Sequence, residues 1–225
     1  MSRFLPSSSD TERSQKLLQK LLMQKSFVPS ILDQPIRWVS PVEEDDFAEY
    51  NDADFLNRLG VAPEHVSLQD FWPRMGPHWD ALGVASDGTV ILVEAKAYIE
   101  EMDTNPSKAS AASLEKIQKS LADTCKFMAA KPKGDWARTF YQMTNRLAHL
   151  YFLHSLNRIP AELWFVCFCN HPDQTIRTTR EEWLGAIRIV ESHLGIQGSG
   201  HKLKDRIRHI FVDCGNLEVL QPSAI

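Results

Sequence analysis

A chain of 225 residues, 43% hydrophobic and 24% charged, is long enough to bury a sizeable core and has the balance of a globular protein. A net charge of −4 argues against a protein that coats nucleic acid by bulk electrostatics. No apolar run reaches the roughly 18–20 residues that span a membrane.

In chain order, Met1 to Asp10 is Ser-rich, without the apolar core or cleavage pattern of a signal peptide, and reads as a flexible tail ahead of one domain over 11–225. A cytoplasmic protein with no membrane partner is expected. The spacing of Leu17, Leu18, Leu21 and Leu22 predicts a helix over Thr11–Gln24. Pro29, Pro35 and Pro41 then predict irregular connections. A second helix is expected from about Glu43 to Leu59, stopped by Gly60. It is acidic, with seven acids and no Lys or Arg between Glu43 and Asp54. After a Pro/Gly-rich approach comes a hairpin around Ser86-Asp87-Gly88. Further helices are expected over Ser113–Ala130 and Asp135–Leu156, the second with Phe140, Met143, Leu147 and Leu150 as its apolar face. Ala161–Cys169 reads as a buried central strand. Thr179 and Glu182 form a capping box that opens a helix ending near Gly195. A Gly198–Gly200 loop then leads to a last strand, Arg206–Cys214. Strands alternating with helices predict an α/β domain, a mixed sheet covered by helices. The four cysteines form no CxxC pair, so buried reduced thiols are expected rather than a zinc site.

The hairpin holds the chemistry. If Ser86-Asp87-Gly88 is a three-residue loop, Ala85 faces Thr89, and counting outward sets Asp80 opposite Glu94, with Lys96 on the same face. Charged groups enter such apolar sequence only when paired or bound to an ion, because their desolvation is costly. Two acids and an ammonium on one strand face make a site for a divalent metal and a phosphate. The bland alternative is a buried ion network among Asp80, Glu94 and Lys96, which adds little stability once desolvation is counted.

Asp80, a hairpin, then Glu94-Ala95-Lys96 resembles the PD-(D/E)xK motif of the restriction-endonuclease-like superfamily. The likeness covers roughly Glu43 to Cys169 and extends to the order of elements: an acidic helix, a strand meander, a helix and a further strand. The sequence departs from the motif at Trp79, where the family has proline, a backbone feature without a chemical role. The resemblance implies that Asp80, Glu94 and the Ala95 carbonyl bind Mg2+ or Mn2+, hard ions that prefer oxygen ligands. It implies that Lys96 positions the attacking water or stabilises transition-state charge, and that the reaction is phosphodiester hydrolysis. The substrate so implied is nucleic acid, DNA more than RNA, and such enzymes often work as homodimers.

Family members also place a carboxylate on the preceding acidic helix, here Glu49, with Asp52 sharing its helix face as the alternative. On the long helix, Gln142, Asn145, Arg146 and His149 are spaced as one polar stripe. Gln142 and Arg146 resemble a family arrangement in which Gln orients a ligand carboxylate and Arg clamps a phosphate. An ordinary solvated face is the competing reading for both groups. His78 counts to a position across from Lys96, and Glu100 and Glu101 follow the strand. Two alternatives stand beside a nuclease: a non-catalytic module of the same fold, and an unrelated α/β enzyme acting on a small phosphorylated substrate. Neither GxxxxGK[ST] nor GxGxxG occurs to support the last.

Overall fold

The computed structural model describes residues 3–4, 12–24, 27, 31–103, 106–171, 177–198 and 200–220. In chain order its elements are β1 (Arg3–Phe4), α1 (Glu12–Leu22), β2 (Ile36–Ser40), β3 (Glu49–Tyr50), α2 (Asp52–Leu59), α3 (Leu68–Phe71), β4 (Ala81–Ala85), β5 (Val90–Lys96), α4 (Ala111–Met128), α5 (Tyr141–Tyr151), β6 (Ala161–Cys169), α6 (Arg180–Leu194), β7 (Ile207–Asp213) and β8 (Glu218–Val219). Six strands make one mixed sheet in the order β2-β4-β5-β6-β7-β8. Strands β2, β4 and β5 run antiparallel, β5, β6 and β7 are parallel, and β8 is antiparallel to β7.

The two sheet faces divide the core. Leu82, Leu92, Leu163 and Phe165 pack with buried residues of α2, α4, α5 and α6. Ile91, Val93, Ala95 and Trp164 face the other way and pack against Leu18 and Leu21 of α1. β6 is buried at every residue, as its unbroken apolar composition requires of a central parallel strand. Gly83 permits the close approach of β2 to β4, since a Cβ there would lie 2.6 Å from Ile36 and 2.9 Å from Trp38. The Thr179–Glu182 capping box is formed, and Gly195 ends α6 at φ 70°. All four cysteines are free, with Cys167 and Cys169 buried. No helix among the described residues is long and apolar enough to cross a membrane.

Four expectations need correction. The acidic segment is not one helix: it folds as a 3-10 turn over Glu43–Asp45, the short strand β3, and then α2. Asp46, Phe47 and Asp52 take positive φ, which breaks a continuous helical path. The long helix starts at Tyr141 rather than Asp135. Asp135 instead caps a turn, its carboxylate accepting from Ala137 N at 2.8 Å, and Phe140 sits at φ 52°. The Pro-rich stretch contains a real strand, β2, between Pro35 and Pro41. Two residues of the expected tail form β1, paired with β3 (Arg3 to Tyr50, Phe4 to Glu49); the rest of that tail, like Ser199, lies outside the described residues.

Candidate functional site

Hairpin chemistry sets the site. Gly88 takes φ 86°, Asp87 accepts from Thr89 N at 2.9 Å, and Ala85 N donates to Thr89 O at 2.9 Å. The ladder then runs Val84 to Val90, Gly83 to Ile91, Leu82 to Leu92 and Ala81 to Val93. One step further in this register, Asp80 meets Glu94. The expected register therefore holds, with no slip at Gly88. Asp80 reaches past its partner, and its Oδ2 accepts from Ala95 N at 2.6 Å. A residue in a strand points its N–H and C=O to the same side, so the Ala95 carbonyl also faces the Asp80 side.

Glu49 arrives from β3. Tyr50 and Trp79 form an antiparallel bridge, with Trp79 N donating to Tyr50 O at 3.2 Å, and the next step along it sets Glu49 opposite Asp80. Its carboxylate accepts from Gln15 of α1 and is buried. Asp52, the alternative, points elsewhere. It accepts from Gly76 N at 2.9 Å and Met75 N at 3.1 Å, bracing the loop that leads into His78 and Asp80.

Helix α5 closes the site over Glu94, and the competing reading of its polar stripe as a solvated face does not hold for Asn145, Arg146 and His149, which are buried. Arg146 Nε donates to Glu94 Oε2 at 2.7 Å and its Nη2 to the His78 carbonyl at 2.8 Å, while its guanidinium lies 5.1 Å from the Trp79 ring centre. Lys96 Nζ donates to Glu94 Oε1 at 2.5 Å and to Gln142 Oε1 at 2.7 Å. The roles implied for the α5 pair are thus redistributed: Arg146 holds a carboxylate and Gln142 holds the lysine. His149 sits among Phe55, Phe71, Trp72 and Trp79, where burial pushes it down to about 3 and keeps it neutral.

Glu49, Asp80, Glu94, Glu101, Lys96 and Arg146 all line one cavity of about 230 Å³. Four carboxylates there face two cations. Burial pushes Glu94 up, but Arg146 and Lys96 outweigh it and hold the carboxyl below its ordinary value. Burial, then the Glu94 and Glu49 charges, push Asp80 well above the usual carboxylate range. Burial, then Glu94, raise Glu49 to about 7. Burial alone would lower Lys96, yet Glu94 and Asp80 hold its ammonium above the ordinary value. Among the described residues no group of three or more His, Cys, Asp or Glu is arranged as a ready metal cage.

Sequence reasoning left Glu101 without a role. It follows β5 on a 3-10 turn over Ile99–Met102, accepts from Ala97 N at 3.4 Å, and is raised to about 7, chiefly by burial. Its placement five residues beyond Lys96 was the available signal. No family model matches the chain, and no curated protein and no solved structure matches it either.

Proposed function

We propose that this protein is a metal-dependent phosphodiesterase of the nuclease type on a restriction-endonuclease-like core, with Asp80, Glu94 and Lys96 as its central groups. The observation that carries this reading is the excess of carboxylate in one cavity, where burial and then the Glu94 charge raise both Asp80 and Glu49. An arrangement that costs free energy in the protein alone suits one whose missing counter-charge is a bound cation. The order of strands supports it too: an antiparallel β2-β4-β5 set, then α4 and α5, then β6 parallel to β5.

The donors fit a hard divalent ion, Mg2+ or Mn2+: Asp80, Glu94 and the Ala95 carbonyl, with Glu49 opposite Asp80. Bound there, such an ion would polarise the scissile phosphate and lower the pKa of a water. Arg146 keeps Glu94 ionised and fixes its orientation. Among the described residues Glu94 and Gln142 take two of the three Lys96 donors, so the third can meet the attacking water or a phosphoryl oxygen. The water oxygen forms the new P–O bond and releases a proton to solvent as the ester P–O bond breaks, and the leaving oxygen takes a proton from solvent. Nucleic acid, DNA in preference to RNA, is the substrate.

One observation favours a second reading, a non-catalytic module of the same fold. Lys96 and Arg146 already engage both Glu94 oxygens, as in a closed ion network. The test is cleavage of linear, nicked and single-stranded DNA and of RNA with Mg2+ or Mn2+. Cleavage should appear and fall by about 10²-fold or more in Lys96→Ala. Activity untouched by Lys96→Ala would refute the assigned chemistry, and metal binding without cleavage of any substrate would select the module.

A further inference from the structure

A second, larger cleft of about 560 Å³ opens beside the carboxylate cavity. The two share a wall of His78, Lys96, Glu101, Gln142 and Arg146, so one ligand can occupy both. The volume lies within the range of about 300–1,000 Å³ typical of small-ligand sites. Two tyrosines line only the outer cleft. Tyr98 stands two residues beyond Lys96, and Tyr141 opens α5 one residue before Gln142. Both are half-buried, and Tyr141 is fixed by hydrogen bonds with Ser107 and Asn145.

The charge of this lining decides the ligand class. Its cations are Lys96 and Arg146, both on the wall shared with the carboxylate cavity and both bonded to Glu94. Glu101 and Asp103 add negative charge, Asp103 on the outer side. Duplex DNA presents one charge per about 1.7 Å of axis and is held by rows of Lys and Arg. A lining with two engaged cations and two acids does not offer that. Stacking of a base on an aromatic ring needs no such row, because every base has a π-face.

We infer that the outer cleft binds one unpaired nucleotide, its base against Tyr98 and Tyr141 and its phosphate toward Lys96. The placement of the phosphate rests on the phosphodiesterase reading; the nucleoside subsite does not. An unpaired nucleotide here is the end of a single strand or a free mononucleotide.

Fluorescence anisotropy of the full chain in EDTA tests this with three probes: a labelled single-stranded oligonucleotide, the blunt duplex of the same sequence, and a mononucleotide as competitor. The single strand should bind at least about 10-fold tighter than the duplex. Tyr98→Ala and Tyr141→Ala should each weaken it roughly 10-fold, with Tyr98→Phe and Tyr141→Phe close to wild type. The Phe variants guard against a fold that fails for lack of the ring. A mononucleotide that competes as well as the oligonucleotide supports the same subsite and names the free nucleotide as its ligand. Equal or tighter duplex binding, no single-strand binding, or Ala variants that bind like wild type would each overturn the inference. Since no metal is present, failure of the phosphodiesterase reading leaves these ratios unmoved.

Discussion

Two glutamates lie buried on neighbouring strands of one sheet, and their surroundings differ in one respect. Glu162, near the start of β6, accepts from Arg208 Nε at 2.6 Å and Nη2 at 3.1 Å and from Trp164 Nε1 at 2.9 Å. One acid meets one cation and an indole. Burial pushes Glu162 up, but these hydrogen bonds outweigh it and hold it below its ordinary value. Glu94, near the end of β5, is also held low by two cations, yet Asp80 and Glu49 beside it are driven the other way. Burial of an acid is common to both places; surplus acid belongs to one. It falls at the carboxyl end of β5 next to its parallel neighbour, the end at which α/β sheets place their ligands.

The comparison breaks most readily at Glu94. Glu94→Ala strands the buried Arg146 and the half-buried Lys96, and should cost about 3–5 kcal/mol of stability together with any metal-dependent activity. Urea denaturation reads the first and a cleavage assay the second. Equal losses from Glu162→Ala would remove the distinction.

The pH dependence comes next, and the two places should have opposite signs. Glu49 titrates at about 7 in the folded protein against an ordinary value of 4.5. Between those values the folded state holds more protons than the unfolded chain, so this group's contribution to stability falls as pH rises through the window. Glu49→Gln should flatten that part of the profile and raise the urea midpoint at pH 8 relative to pH 5. Glu162, depressed when folded, contributes stability above its ordinary 4.5 that is lost as pH falls below it. A Glu49→Gln profile superimposable on wild type would contradict the raised carboxyl. The smallest effect belongs to Arg208→Met. Arg208 is 38% exposed, so solvent screens the pair, and a loss of about 1 kcal/mol or less is expected, with cleavage unchanged.

The hairpin was legible in the sequence because the Asp87-Gly88 turn and the apolar alternation together fix a register. That register carried Asp80, Glu94 and Lys96 to one place. Glu49 lies on the short strand β3 rather than on the helix that the sequence predicts. Residues 43–59 have helical composition, and nothing local announces positive φ at Asp46, Phe47 and Asp52. The position survived because β3 delivers Glu49 beside Asp80 through a pairing with Trp79, a long-range contact that periodicity does not encode. The polar stripe on α5 is visible as a pattern, but spacing alone leaves a solvated face as the competing reading. Its polar groups are buried because Glu94, His78 and an aromatic cluster supply their partners from other elements. Strand β2 was hidden by flanking prolines, which mark its ends.

If the surplus acid of this cavity is the seat of a divalent cation, Mn2+ should bind there. Calorimetric titration of Mn2+ into wild type, Asp80→Ala and Glu162→Gln at pH 7 tests it directly. Wild type and Glu162→Gln should bind Mn2+ with proton release, and Asp80→Ala should lose that binding. No binding by wild type, or binding that Asp80→Ala leaves unchanged, would contradict it.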